Sequence, residues 1–210
     1  MTPETPARRF DYPLSLDLHG LRAVVVGGDH EALDKARRLA AAGAHVTIVA
    51  EAPGADLRGS GLPYEQRSFA LADVVDARVV IVAPDARRHA AALWSLRREG
   101  GFLLSSIDDP PHCDFASPAV VDVGDIKIAL SSGGRAPAVL RRLREDLSRA
   151  LNTEPVLAFI ARVSALRDEP PVETRIARVK AAVSGFAIDV QVRFPPWFDE
   201  GRSGPGPSEE

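Results

Sequence analysis

A single cysteine, Cys113, in a chain of 210 residues excludes a disulfide within the chain and argues against structural zinc. A reducing, cytoplasmic setting is the expectation that follows. Long apolar runs are also missing. Stretches such as Ala77 to Pro84 have the length of a strand, far short of the ~20 residues a membrane span needs. The first ten residues, MTPETPARRF, lack the apolar core of a secretory leader, so none is expected. Charge of one sign is scarce as well: the net charge is −3 and the isoelectric point about 6.0, which gives no basic footprint for nucleic acid. What is present is 45% hydrophobic residues, enough for an ordinary packed core and too many for a disordered chain. The length fits one large domain or two small ones.

The N-terminal two thirds alternates strand and helix signals. Residues 1–12 read as a loose, polar lead-in. RAVVVGG (22–28) is a continuous β-branched run ending in glycine, as expected of a strand buried on both faces. Glu31 to Ala42 has helical spacing and is closed by Gly43, where a left-handed residue is favoured. HVTIVA (45–50) is a second strand, 54–62 a glycine-rich loop, and Tyr64 to Phe69 a third, more exposed strand. RVVIVA (78–83) is another buried strand, Ala86 to Glu99 a helix stopped by Gly100 and Gly101, and Phe102 to Ile107 a fifth strand. The alternation predicts an α/β fold with a Rossmann-type, doubly wound parallel sheet.

After Pro118 the pattern changes. Residues 119–130 predict two short strands around a Val-Gly-Asp turn, and 131–137 (SSGGRAP) a small-residue loop. Ala138 to Leu151 is an Arg-rich amphipathic helix. Thr153 is placed to cap a helix running to about Leu166, with Pro155 tolerated in its first turn. Residues 168–171 break the chain before a helix over 172–183. AIDVQVRF (187–194) alternates like a strand or lies against the helices, and 201–210 has the composition of a disordered tail. The expected division is a nucleotide-binding domain over 1–115, a small α+β region over 116–151, a helical region over 152–200, and the tail.

Four places could carry chemistry. At the turn Gly27-Gly28-Asp29-His30-Glu31-Ala32, Gly27 and Ala32 fit the first and third positions of a dinucleotide fingerprint. Asp29 puts bulk and negative charge where a pyrophosphate would approach. Glu51 follows the second strand, where an acid can bind an adenosine ribose or simply be solvated. SSIDDPPHCDF (105–115) crowds Asp108, Asp109, His112, Cys113 and Asp114 at the C-terminal end of the fifth strand, the edge at which α/β sheets bind ligands. Its spacing matches no zinc pattern, so no metal ligands are assigned. SSGGRAP precedes a helix and could bind an anion through backbone N–H groups, or merely connect. Arg141, Arg142 and Arg144 on that helix could attract a polycarboxylate or form a solvated face.

Together these segments resemble the precorrin-2 dehydrogenase / sirohydrochlorin ferrochelatase family, the N-terminal module of multifunctional siroheme synthase. The resemblance spans roughly residues 10–150 and rests on YPLSLDLHGLRAVVVGG (12–28), DKARRLAAAGAHVTIVA (34–50), VVIVAPD (79–85), DDPPHCDFASPAVV (108–121) and IKIALSSGGRAPAVLRRLREDL (126–147). It implies oxidation of precorrin-2 to sirohydrochlorin with NAD, with insertion of Fe2+ in some members, by a homodimer whose 116–151 region supplies dimer contacts. It implies that Asp108 is the catalytic carboxylate. Cofactor contacts fall on Gly27, Gly28, His30, Glu31, Glu51, Ala52 and Asp85. The substrate side falls on Ser132, with Gly133 and Gly134 beside it.

The chain departs from the family pattern where GGG becomes Gly27-Gly28-Asp29 and where A-T-D becomes Ala83-Pro84-Asp85. It departs again where N-V-[VI]-D becomes Ser105-Ser106-Ile107-Asp108, and where Arg135 stands for a small residue after SSGG. Three of these lie on the cofactor side. They keep two alternatives in view: a chelatase without hydride transfer, and a non-catalytic tetrapyrrole-binding protein.

Overall fold

The computed structural model describes residues 10, 12–168, 171–196 and 198. The lead-in, apart from residues 10 and 12, and the tail expectation over 201–210 lie outside the described residues. The chain divides into two compact units: the residues up to Val121 with Ile128–Leu147, and Asp122–Lys127 with the residues from Ser148 onward.

The first unit is built on a five-stranded sheet, β1 (Arg22–Val26), β2 (His45–Ala50), β3 (Tyr64–Gln66), β4 (Val79–Val82) and β5 (Leu103–Ser106), in the order β3-β2-β1-β4-β5. All four pairings are parallel. β1 is central because Ala23, Val24, Val25 and Val26 can all be buried, and alternate residues feed two cores. Ala23 and Val25 pack with Leu33, Ala36 and Leu39 of helix α1 (His30–Ala41). Val24 and Val26 pack with Leu93 of helix α3 (Ala90–Gly100) and with Leu104. A sheet covered on both faces in this way is doubly wound. The chain runs outward from β1 in one direction to β2 and β3, then restarts on the other side with β4 and β5. This reversal opens a crevice at the C-terminal ends of β1 and β4, the usual ligand site of such sheets. The register keeps those ends level, with Val26 opposite both Val49 and Val82.

Several local expectations are corrected. The 54–62 loop contains a four-residue helix, α2 (Ala55–Arg58), held because Leu57 is buried in the core and Arg58 Nη1 donates to the Pro53 carbonyl at 2.5 Å. β3 ends at Gln66 rather than Phe69. Arg67 forks onto Asp73 at 2.7 and 2.8 Å and turns the chain away, and Phe69 packs on the opposite core. The helix expected over 86–99 begins as a 3-10 segment, Pro84–His89, and becomes α3 only at Ala90. Proline at its start supplies no N–H, which suits the first turn.

The ribbon β6 (Ala119–Val123) and β7 (Ile126–Leu130) forms a separate two-stranded sheet, turning at Gly124 and Asp125 as expected. Helix α4 (Pro137–Leu151) follows.

The second unit contains α5 (Glu154–Ala165) and α6 (Arg175–Ala182). Thr153 occupies the cap position of α5 but its side chain makes no capping bond. The helix over 172–183 opens with a 3-10 turn, Val172–Thr174. Residues 187–194 form no strand. Phe186 stacks on Phe159 at 4.7 Å, but Ile188, Val190, Val192 and Phe194 beyond it are 53–74% exposed. Alternation alone did not make a strand, because no neighbouring edge among the described residues pairs with the segment. No helix among the described residues is long and apolar enough to cross a membrane.

Candidate functional site

The turn after β1 is shaped by the protein's own packing. Gly27 has φ +122°, and its N–H donates to the Val49 carbonyl at 2.9 Å. A Cβ on Gly27 would lie 2.3 Å from Asp85 Oδ1 and 2.6 Å from the Ala83 Cβ. On Gly28 it would lie 2.9 Å from the Ala50 Cβ, the Ala52 carbonyl oxygen and the Pro53 Cα. The Gly28 N–H donates to Asp85 Oδ2 at 2.9 Å, so the loop after β4 is tied directly to the turn.

Asp29 was expected to put its charge in the path of a pyrophosphate. Its carboxylate is instead folded back as the N-cap of α1, accepting from the Ala32 N–H at 2.8 Å. The charge still sits at the helix N-terminus, but it is spent on a backbone donor. The N–H groups of His30 and Glu31 meet no acceptor among the described residues. A helix start with two free donors retains a place for an anion.

Beside the turn is a cavity of about 140 Å³ lined by Gly27, Glu51, Ala52, Phe69, Arg88 and His89, among others, with Asp85 at its wall. Glu51, the first residue after β2, receives a hydrogen bond from Arg88 Nη2 at 2.6 Å. Arg88 Nη1 also reaches the Asp85 carbonyl at 3.3 Å. Hydrogen bonding from Ser68, and then from Arg88, holds the Glu51 carboxyl below the usual carboxylate range. The His89 ring stands edge-on to Phe69 at 5.0 Å, and its Nε2 is buried with no hydrogen-bond partner. Burial pushes the His89 imidazole pKa down, favouring its neutral form.

This set fits the adenosine end of a dinucleotide. It offers an aromatic wall, an unsatisfied ring nitrogen, a carboxylate at the end of β2, and a glycine turn leading to free helix donors. Arg88, His89 and Phe69 were not foreseen from the sequence. Each reaches the site from a segment distant from the glycine turn.

A larger cleft, about 560 Å³, opens at the end of β5. Asp108, Ser132, Gly133 and Gly134 all line it, so the structure brings the expected catalytic and substrate residues together. Asp108 has φ +55°, a left-handed conformation that non-glycine residues seldom adopt. It is exposed, and the preceding residue is anchored on both sides: the Ile107 N–H donates to the Val82 carbonyl at 2.9 Å, and Arg87 Nη2 donates to the Ile107 carbonyl at 3.0 Å. A strained, anchored carboxylate at a strand's C-terminal end is a common functional arrangement.

Next to it, Asp109 Oδ2 and His112 Nδ1 are 2.7 Å apart, so these two polar residues satisfy each other. Cys113 Sγ accepts from the Ser106 N–H at 3.2 Å and donates to the Ser106 carbonyl at 3.1 Å. Asp114 is structural, receiving the Leu104 N–H at 3.0 Å and Arg97 Nε at 2.9 Å. Ser132 Oγ accepts from the Ala136 N–H at 3.0 Å and so shapes the entry to α4.

The seven expected cofactor positions do not share one cavity. Gly27, Glu51, Ala52 and Asp85 line the smaller one; Gly28, packed against Ala50, Ala52 and Pro53, does not. Glu31 lines the cleft with Asp108 instead, together with Lys35 one turn along α1. The His30 side chain is 80% exposed and lines neither. Among the described residues, no group of three His, Cys, Asp or Glu side chains is arranged to hold a metal ion.

The chain is similar to known proteins. A sequence family described as "Putative NAD(P)-binding" matches residues 14–119. Siroheme synthase of Pseudomonas fluorescens (strain SBW25) is 34% identical over 190 residues, covering 88% of this chain and 38% of that protein. Siroheme synthase of Actinobacillus pleuropneumoniae serotype 3 (strain JL03) is 32% identical over 139 residues, 64% of this chain and 29% of that one. The chain thus spans about a third of the length of these relatives. Among solved structures, one titled "SirC, precorrin-2 dehydrogenase" superposes with a TM-score of 0.65 at 19% identity, over 82% of this chain and 89% of that chain, and so shares its fold.

Proposed function

The chain belongs to this NAD(P)-binding family, and from that premise we propose that it oxidises precorrin-2 to sirohydrochlorin with NAD as electron acceptor. The observation that carries the reading is Asp108: a carboxylate held at φ +55° on the cleft closed by Ser132, Gly133 and Gly134. The oxidation removes two hydrogens from the macrocycle, one with its electron pair and one as a proton. When bound, the nicotinamide ring supplies the acceptor for the electron pair. The Asp108 carboxylate takes the proton, as a general base positioned by the anchored end of β5. Glu31 and Lys35 on α1 line the same cleft; Glu31 also carries one of the N–H groups that would hold an anionic cofactor, and Lys35 lies one helix turn further on. Glu51 would accept from the ribose, and Gly27 and Gly28 let the chain pass close to the diphosphate.

The same reading assigns 1–115 to nucleotide binding, 116–151 to contacts with a second copy in a homodimer, and 152–200 to a helical region, in a cytoplasmic enzyme. Exposed Val139 and Leu143 on α4 support a contact surface. Purified protein mixed with precorrin-2 and NAD+ should develop the sirohydrochlorin spectrum. Absence of turnover together with absence of NAD+ binding would sink the dehydrogenase assignment.

A second reading is favoured by one observation: two donors of the glycine turn, the Gly28 and Ala32 N–H groups, are already bonded to Asp85 and Asp29. In that reading the protein inserts Fe2+, as substrate, into sirohydrochlorin without NAD+. Metal insertion by protein that fails to bind NAD+ would select it.

A further inference from the structure

Resting on the dinucleotide reading of the small cavity, we infer that Glu51 and Arg88 form a charge pair that excludes 2′-phosphorylated nucleotides. In this pair Arg88 is a latent 2′-phosphate site that Glu51 keeps occupied.

The two residues come from different segments of the chain and both line the cavity. Glu51 is the first residue after β2, and Arg88 lies in the 3-10 segment after β4. Their atoms meet at 2.6 Å on the cavity lining, beside the glycine turn. Among the described titratable residues lining that cavity, Arg88 is the one guanidinium, Asp85 is turned onto the Gly28 N–H, and His89 is pushed toward its neutral form. An arginine at this edge of a nucleotide site could bind a 2′-phosphate, since its planar fork matches phosphate oxygens. Here one arm of the fork is committed to Glu51.

A 2′-phosphate entering the cavity would meet the Glu51 carboxylate at short range, and it could reach Arg88 only by breaking the pair. A free 2′-hydroxyl meets no such conflict, because it is a donor and each carboxylate oxygen of Glu51 has more than one lone pair to offer beside the bonds from Ser68 and Arg88. The acid therefore performs two tasks: it attracts a ribose diol and disables the base that would accept the competing nucleotide. Discrimination by a repulsive element alongside an attractive one is a general strategy of specific sites.

The test is calorimetric titration of the full chain with NAD+ and NADP+, and with 5′-AMP and adenosine 2′,5′-bisphosphate as fragments. The parent protein should prefer NAD+. Glu51→Gln should tighten NADP+ and the bisphosphate by roughly 10- to 100-fold, the worth of one freed charge-assisted contact. Adding Arg88→Ala to Glu51→Gln should abolish that gain. The inference is overturned if NAD+ binds the parent but Glu51→Gln gains nothing for NADP+, or if the gain survives loss of Arg88. If no variant binds either nucleotide, the dinucleotide reading itself fails and this inference falls with it. Circular dichroism on each variant separates these outcomes from misfolding.

Discussion

Asp108→Asn is expected to lower turnover of precorrin-2 by about 10²- to 10⁴-fold, the usual contribution of a positioned general base. It should leave NAD+ affinity unchanged. Asparagine is the informative replacement because it keeps the size of the side chain and tolerates the left-handed backbone at φ +55°. Alanine would confound loss of the carboxylate with relief or worsening of strain. Stopped-flow absorbance gives the rate, and a nucleotide titration gives the affinity. A variant turning over within a few-fold of the parent would remove Asp108 from the proton transfer. The same substitution also addresses metal insertion. If Asp108→Asn slows both reactions alike, one carboxylate serves both chemistries in the cleft.

Gly27→Ala should be the most damaging single change at the nucleotide site. The added methyl would lie 2.3 Å from Asp85 Oδ1 and 2.6 Å from the Ala83 Cβ, on a backbone at φ +122°. Backbone strain of this kind costs about 1–3 kcal/mol by itself. The clash adds to it, because Asp85 cannot withdraw without releasing the Gly28 N–H. A loss of ~3 kcal/mol corresponds to a fall in Tm of roughly 6–12 °C for a chain of this size. Nucleotide binding should be lost with it, since the turn and the β4 loop move as one. A Tm within about a degree of the parent would show that the turn relaxes freely and that the packing argument is wrong.

The parts of the molecule that were legible in the sequence are those whose burial leaves a continuous signature. β1, β2 and β4 are short runs rich in β-branched residues because both faces of the sheet are covered; β5 (LLSS) was marked by its place after a helix closed by glycines, and the parallel order followed from the alternation with helices. α2 was hidden because four residues carry no period; the burial of Leu57 and the Arg58 bond to the Pro53 carbonyl fix them. The alternating segment 187–194 misled because a period of two requires a partner edge before it becomes a strand. Asp29 was weighed as a ligand-site residue when its commoner task was in view: an aspartate immediately before a helix is a cap.

At the site, Asp108 and Ser132 were reached through the family resemblance, and the structure places both on one cleft. Arg88 was invisible for a different reason. Its partner Glu51 is 37 residues away, and an ion pair across a crevice leaves no local pattern. His89 was missed likewise, since nothing in its neighbours announces that its Nε2 is buried without a partner.

Cys113 has a use that its chemistry does not advertise. Its thiol is 7% exposed and is pinned to both backbone groups of Ser106, within the segment that carries Asp108. Cys113 lines the cleft but is nearly buried, so full access of a soluble reagent to the chain's single sulfhydryl requires that segment to swing away from β5. Its labelling rate is therefore a built-in gauge of how often the Asp108 loop opens. Any ligand that settles in the cleft and holds the loop shut will slow that gauge by the factor through which it stabilises the closed form.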